Sequence, residues 1–539
     1  MKPLLTSNLL KVAGILSGLA ICVLTGCREN REGPLMMIPA TSVAVMSLDL
    51  AQMSDHIIAS ADLMHAISSQ AAIGQSLAML PHSGIDLHGS VYGFADPRAG
   101  VALTSGLILP LLDAQAFTDF LRNVPIQWRQ SPMRKGSDDI SQAEAADGSL
   151  QVIWDSRAAL LLYQLDVIGG ISRALVDPRD LFQTGARSPL AADNVAFQNL
   201  LKAEHDLSVF LNYEQIAPIM TILHPLAARS GIREGTIGMG LNLHQQSVTL
   251  DLTAQYDEAA AAYLDLLRKD LDPALTADLS SELPVACFSL AVSPEKLLPF
   301  LTDWKVMEDL ERDMAEDGGS LQRLLGSMTG DVVVACQAEG LVEASWPISD
   351  SLLPFTLAIG LRDSGELASI LERMVQGGGL LQDGQRYSAP EGGAVLLLEQ
   401  NRLLISDPEM SHRIMSGDAK DLPRYQQEMV QHYGSAFALD LLPLSPILEK
   451  RMSSEFSAEI ARWATEHVPI LGIEAYLEEP SAGAIQGRLR IRTRSDQSDG
   501  LATIMEYVET LFLLLRDQPS PPGSLSNAYY QVPLNHEGF

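Results

Sequence analysis

GTIGMGLNLHQQSVTLDLTAQYDEAAAAYLDLL, residues 235–267, has a counterpart in GIEAYLEEPSAGAIQGRLRIRTRSDQSDGLATIMEYVETLF, residues 472–512. Alternating strands resemble one another, so this pairing decides little by itself; its weight comes from five more that keep the same order. IPATSVAVMSLDLAQM from Ile38 matches LPVACFSLAVSPEKLL from Leu283, and GSVYGFAD from Gly89 matches GDVVVACQ from Gly330. GLILPLLDAQAFTDFLRNV from Gly106 matches TLAIGLRDSGELASILERMV from Thr356, each a strand running through an Asp into an amphipathic helix. SLQVIWDSRAALLLYQ from Ser149 and GAVLLLEQNRLLISD from Gly393 both read as hairpins. DLSVFLNYEQIAPIM from Asp206 pairs with GSAFALDLLPLSPIL from Gly434.

Six pairings in one order, at an offset of about 240 residues, predict an internal duplication. The expected units are 38–270 and 283–515, joined by a linker at 271–282 inside KDLDPALTADLSSE and followed by a tail at 516–539 that contains SPPGSLSN. Hairpins and alternating patterns, rather than buried strands spaced evenly by helices, predict antiparallel pairing. The fold class is therefore α+β: two homologous repeated units, each an antiparallel β-sheet with helices packed on one face.

The 539-residue chain is 47% hydrophobic and 19% charged, which suits a globular body with a sizeable core. Its net charge of -30 becomes about -32 once residues 1–26, which hold Lys2 and Lys11 and no acid, are removed. Such a body repels phosphate backbones, and nucleic acid is excluded as a partner.

The N-terminus carries the most specific chemical signal. Residues 12–24 form an apolar run well short of the roughly 20 residues that span a bilayer. A positive start, a short apolar stretch and small residues at its end describe a secretory signal peptide, here 1–26. Leu24, Thr25, Gly26 and Cys27 resemble the lipobox of bacterial lipoproteins. The resemblance implies cleavage between Gly26 and Cys27 and lipidation of the Cys27 thiol, so that 27–37 becomes a lipidated tether. Two or three acyl chains on one residue give stable anchoring. Arg28 in place of Asp implies, in lipoproteins of Gram-negative bacteria, release to the outer membrane. The body, through IPATSVAVMSLDL and GIDLHGSVYGFAD, also resembles a group of Bacteroidetes lipoproteins catalogued as a domain of unknown function. That resemblance supports architecture and anchoring and implies no activity.

Cys287 and Cys336 are the cysteines left in the body. Both sit in apolar runs that read as strands, and two outcomes are open: a disulfide if the strands are neighbours, or two small buried thiols. Neither suggests catalysis, since no CxxC and no adjacent His is present.

The eleven histidines form no HExxH, and neither a nucleophile elbow nor a P-loop is found. No cofactor or metal is expected. Two near misses remain. Ser293 and Lys296 make an SxxK, but Ser followed by Pro294 is also what a helix start needs, and the companion motifs of penicillin-binding enzymes are missing. Asp313, Asp317 and Gly318 look like part of a calcium loop, yet Ala315 and Leu324 fall where oxygen ligands are required. The leading expectation is a noncatalytic, membrane-anchored envelope lipoprotein that binds or scaffolds an unknown protein or apolar ligand. A lipid or apolar-ligand carrier is the alternative, and a hydrolase drawing residues from both units comes third.

Overall fold

The computed structural model describes residues 32–51, 82–98, 102–124, 126–134, 140–166, 181–182, 189–216, 234–244, 247–258, 261, 264–281, 284–297, 311–312, 320–338, 355–453, 457–481 and 483–494. In the C-terminal region it adds positions 503, 504, 507, 508, 510, 511 and 514. The expected signal peptide at 1–26, Cys27 and the tail at 516–539 lie outside the described residues.

Among the described residues, ten strands fall in the first half. They are β1 (Ala44–Asp49), β2 (Ser90–Arg98), β3 (Ala102–Pro110), β4 (Trp128–Arg134) and β5 (Ser141–Ala145). They continue with β6 (Leu150–Trp154), β7 (Ala158–Asp166), β8 (Leu207–Asn212), β9 (Gly235–His244) and β10 (Ser247–Tyr256). The second half supplies β11 (Pro284–Ala291), β12 (Met328–Gln337), β13 (Phe355–Leu361), β14 (Leu381–Asp383) and β15 (Arg386–Ser388). It ends with β16 (Val395–Leu398), β17 (Arg402–Ser406), β18 (Ser435–Asp440), β19 (Ile470–Leu477) and β20 (Ala484–Thr493).

Strand pairing gives the first half the order β4-β5-β6-β7-β3-β2-β1-β8-β9-β10, antiparallel throughout. The second half reads β14-β15-β16-β17-β13-β12-β11-β18-β19-β20, the same order with ten added to each strand number. β10 pairs with β20, so the halves form one continuous sheet. Even isolated bridges correspond: Pro39 with Pro189, just before the strands and helices that follow them, and Ser280 with Lys420.

Helices complete the α+β architecture. α1 (Ala114–Asn123) starts at Asp113, whose carboxylate accepts from the Gln115 and Ala116 amides. α2 (Val195–Lys202) is capped in the same way by Asn194. In the second half α3 (Gly365–Gln376) follows β13 as α1 follows β3, and α4 (Arg424–His432) precedes β18 as α2 precedes β8. Near β8 and β18 helices lie on one face: α2 places Phe197 against Phe210, with ring centroids 5.2 Å apart, and α4 packs on β18 and β11. The other face takes the helix after the third strand. Leu107 and Leu109 join Phe117 and Leu121 of α1, whereas Ile108 between them joins Phe197 and Leu200 of α2. Helices on a single face thus describe only part of each half, because β3 is apolar on both sides and needs cover on both.

Two connecting stretches are packed into the body. Leu271, Leu275 and Leu279, expected in or at the edge of a linker, are buried with Ala335 and Ala438 in the core of the second half. The Arg402 side chain, itself buried, ties that stretch down by donating to the carbonyls of Ala274 (3.2 Å) and Ala277 (2.7 Å) and to the Asp278 carboxylate (3.3 Å). Met37 and Ile38 are likewise buried in the first half, so the expected tether ends inside the core.

Candidate functional site: the junction of the half-sheets

β10 and β20 are matched residue for residue from Ser247 opposite Arg492 to Gln255 opposite Ala484. Along both, polar and apolar residues alternate, so each face of the junction has one character. The polar face carries Arg488, Arg490, Arg492 and Arg494 of β20 and the residue after it, in a chain whose overall charge is -30. Two of the four are answered locally by carboxylates. Arg488 stands opposite Asp251, with Nε 2.5 Å from Oδ1, and Arg492 Nε lies 2.9 Å from Glu474 Oε1.

Aromatic groups from α4 and β19 close over one end. The Arg492 guanidinium sits 5.1 Å from the centre of the Tyr425 ring, within cation–π range. Tyr433 and Tyr476 stack with centroids 3.6 Å apart. Burial pushes the Tyr425 and Tyr433 hydroxyls up to about 12, so both stay protonated and serve as hydrogen-bonding groups. On the β9 side, the Asn242 amide reaches Asp251 at 3.4 Å and its oxygen lies 3.2 Å from Nδ1 of His205. The polar face is a cross-strand ion-pair network that stitches the halves together.

The cysteines lie on neighbouring strands, yet Cys287 stands opposite Ala335 and Cys336 opposite Ala286. One residue out of register, their side chains leave opposite faces of the sheet, so of the two outcomes left open by the sequence it is the free thiols that are found, and no disulfide joins them. Burial pushes the Cys287 thiol up to about 12, which leaves it without nucleophilic character.

Ser293 and Lys296 do not form a dyad. The Ser293 hydroxyl donates to Glu295 at 3.1 Å, while the Lys296 ammonium donates to the Asp265 carbonyl at 3.1 Å. Glu295 is itself held down at about 2 by Arg362, 2.5 Å away, and is too weak a base to activate the hydroxyl. Pro294 opens the helical turn as expected of a helix start. Asp313, Asp317 and Gly318 lie outside the described residues.

One grouping was not legible in sequence. A cleft of about 30 Å³ gathers Ser47 and Asp49 of β1, Ser90 of β2, Ser208 of β8 and His205 just before β8. It has room for a water and not for a substrate. No hydrogen bond joins a serine hydroxyl to the His205 ring, whose Nδ1 faces Asn242. A larger recess of about 440 Å³ lies beside α5 (Ala458–Glu466), where Trp463 stacks with His467 and Tyr507. Among the described residues no group of three His, Cys, Asp or Glu is placed to hold a metal, and no helix is long and apolar enough to cross a membrane.

No family model matches the chain, and no curated protein matches it. The likeness to Bacteroidetes lipoproteins of unknown function therefore gains no support from the family models. Among solved structures, crystal form I of TP0453 is similar at 12% identity, over 42% of this chain and 79% of its own, with a TM-score of 0.27. A likeness that slight says nothing of function.

Proposed function

We propose that this chain is a noncatalytic lipoprotein of the cell envelope, anchored through lipid on Cys27, whose duplicated body serves as a binding or scaffolding surface. The observation that carries the reading is the shared strand order of the halves and their fusion through β10 and β20. The fusion joins the described strands of both halves into one broad sheet. The duplication at 38–270 and 283–515 is part of the proposal, and it is supported by the six sequence pairings, each of which falls on strands of equal rank in the two halves. Location at the outer membrane rests on Arg28.

Replacing Cys27 with Ala tests the anchor. Palmitate incorporation should vanish and the protein should leave the membrane fraction; a processed variant that stays membrane-bound without label would defeat the reading. Crosslinking in intact cells then identifies what the surface holds.

A further inference from the structure

The two halves place their last strands by the same walk across the sheet. From Val91 of β2, directly opposed residues lead through Leu48, Leu207 and Leu241 to Leu250 of β10. From Val332 of β12, the same steps lead through Leu290, Ser435 and Leu477 to Gly487 of β20. Leu250 therefore matches Gly487, and Asp251 matches Arg488. In the β10–β20 ladder Leu250 faces Leu489, Leu252 faces Gly487, and Asp251 faces Arg488. Only in that last pair do matched positions face each other, so a pseudo-two-fold axis passes between Asp251 and Arg488. The halves meet as the subunits of a symmetric dimer would, where a residue on the axis meets its own copy.

We propose that Asp251 and Arg488 form a pairing key, which directs the end strand of each half to the other half of the same chain and away from the identical strand of a second copy. The inference rests on the duplication proposed above and names the partner that the junction accepts. Like strands have the same backbone groups to offer and could pair about the same axis. On the apolar side nothing opposes it: β10 against β10 would set Leu250 on Leu252 and Val248 on Ala254, and β20 against β20 would set Ile485 on Ile491. Discrimination falls to the polar side. There β10 against itself sets Asp251 on Asp251. β20 against itself sets Arg488 on Arg488, in a ladder that holds Arg490 and Arg492 from each copy and no acid. Like charges directly opposed destabilise a strand pair, whereas in the fused chain Arg488 Nε lies 2.5 Å from Asp251 Oδ1. The Asn242 amide, 3.4 Å from the other carboxylate oxygen, holds the acid in place. An exchange of β10 for β20 between copies would satisfy the charges as well, but the covalent connection favours the partner within the chain. Specificity here comes from repulsion built against the wrong partner as much as from attraction to the right one.

The test coexpresses two differently tagged copies of the full chain and measures, after detergent extraction, which copies purify together. Asp251→Arg leaves only arginines at the axis and Arg488→Asp only aspartates, so neither variant alone finds a complementary strand. Together each supplies the strand that the other lacks, and the mixed pair should copurify about fivefold more than either variant, or wild type, with its own kind. Amide hydrogen exchange over residues 247–255 and 484–492 should quicken about fivefold in each single variant and return to the wild-type rate in the double variant Asp251→Arg, Arg488→Asp. Arg488→Gln removes one charge without opposing two like ones; it should quicken exchange less and gain no copurification. Should reversed charges unfold the chain by circular dichroism, Arg488→Gln decides, and exchange unchanged from wild type in that variant overturns the proposal. So does a mixed pair that copurifies no better than either variant with itself, a double variant that exchanges as fast as the singles, or wild-type copies that copurify as strongly as the mixed pair. Cys27 is unchanged throughout, so palmitate label and membrane retention report on the anchor separately from the junction.

Discussion

The two halves share a strand order and fill it with different chemistry. The first half is built around aromatic rings. Trp154 is fully buried, edge-on to Phe117 at 5.8 Å, and Phe197 meets Phe210 on the other face. The second half buries alanines, at 335, 358, 436 and 438, among leucines, and gives one interior position to Arg402. What is held constant is the hydrogen-bonded ladder and the alternation of faces; side-chain volume is redistributed around it, as cores tolerate when total volume and pattern are kept. Gly106 illustrates the local price of the aromatic solution, since a Cβ there would lie 2.1 Å from the Phe94 ring.

The comparison is broken most forcefully at Trp154. Trp154→Ala should cost about 3–5 kcal/mol, as large-to-small changes in packed cores do, and it also strips the Thr118 hydroxyl of its indole partner at 3.2 Å. Urea unfolding followed by tryptophan-independent circular dichroism measures it. Arg402→Ala in the second half should cost about 2 kcal/mol: the guanidinium leaves Glu399 and Asp278 unmatched, but their exposure, 32% and 47%, lets water screen them. With β10 and β20 forming one ladder, both variants should lower the same transition. Two transitions, each moved by only one variant, would show that the halves are energetically independent.

The strands and the order they share in the two halves were legible because apolar alternation survives when residue identity does not: GSVYGFAD and GDVVVACQ share little beyond their pattern, yet form β2 and β12. The α+β class followed from the same signal. The helices on the second face were missed because GLILP in β3 shows apolar residues on both sides without saying what covers each. The packing of 271–282 was missed because DLDPALTADLSSE reads as small and charged; its leucines recur at every fourth position, and their anchor, Arg402, is more than 120 residues away in sequence. The Ser47, Asp49 and His205 grouping depends on tertiary contact and left no local spacing to find.

The cysteines sharpen the comparison from a different side, since both belong to the second half. Native protein at pH 8 should label at Cys336 and spare Cys287, whose thiolate fraction, with the thiol at about 12, is roughly one in ten thousand. In denaturant both should react. Peptide mapping after maleimide treatment decides it, and equal labelling of the two in the native state would contradict the buried placement of Cys287.

The smallest effect lies at the surface of the second half, where Arg362 pairs with Glu295 in the helical turn that follows β11. Glu295 is lowered from 4.5 to about 2, chiefly by the hydrogen bond from Arg362. A carboxylate depressed in the folded state binds fewer protons there than in the unfolded chain, so its stabilisation is complete above about 4.5 and fades as pH falls toward 2. Glu295→Gln should therefore lower the melting temperature slightly at pH 7, and the gap from wild type should narrow steadily between pH 4.5 and pH 2. The pair is well exposed, so salt should shrink the gap at pH 7 as well. A gap that is constant with pH would mean that the substitution acts through the helix start at Ser293 and not through the charge.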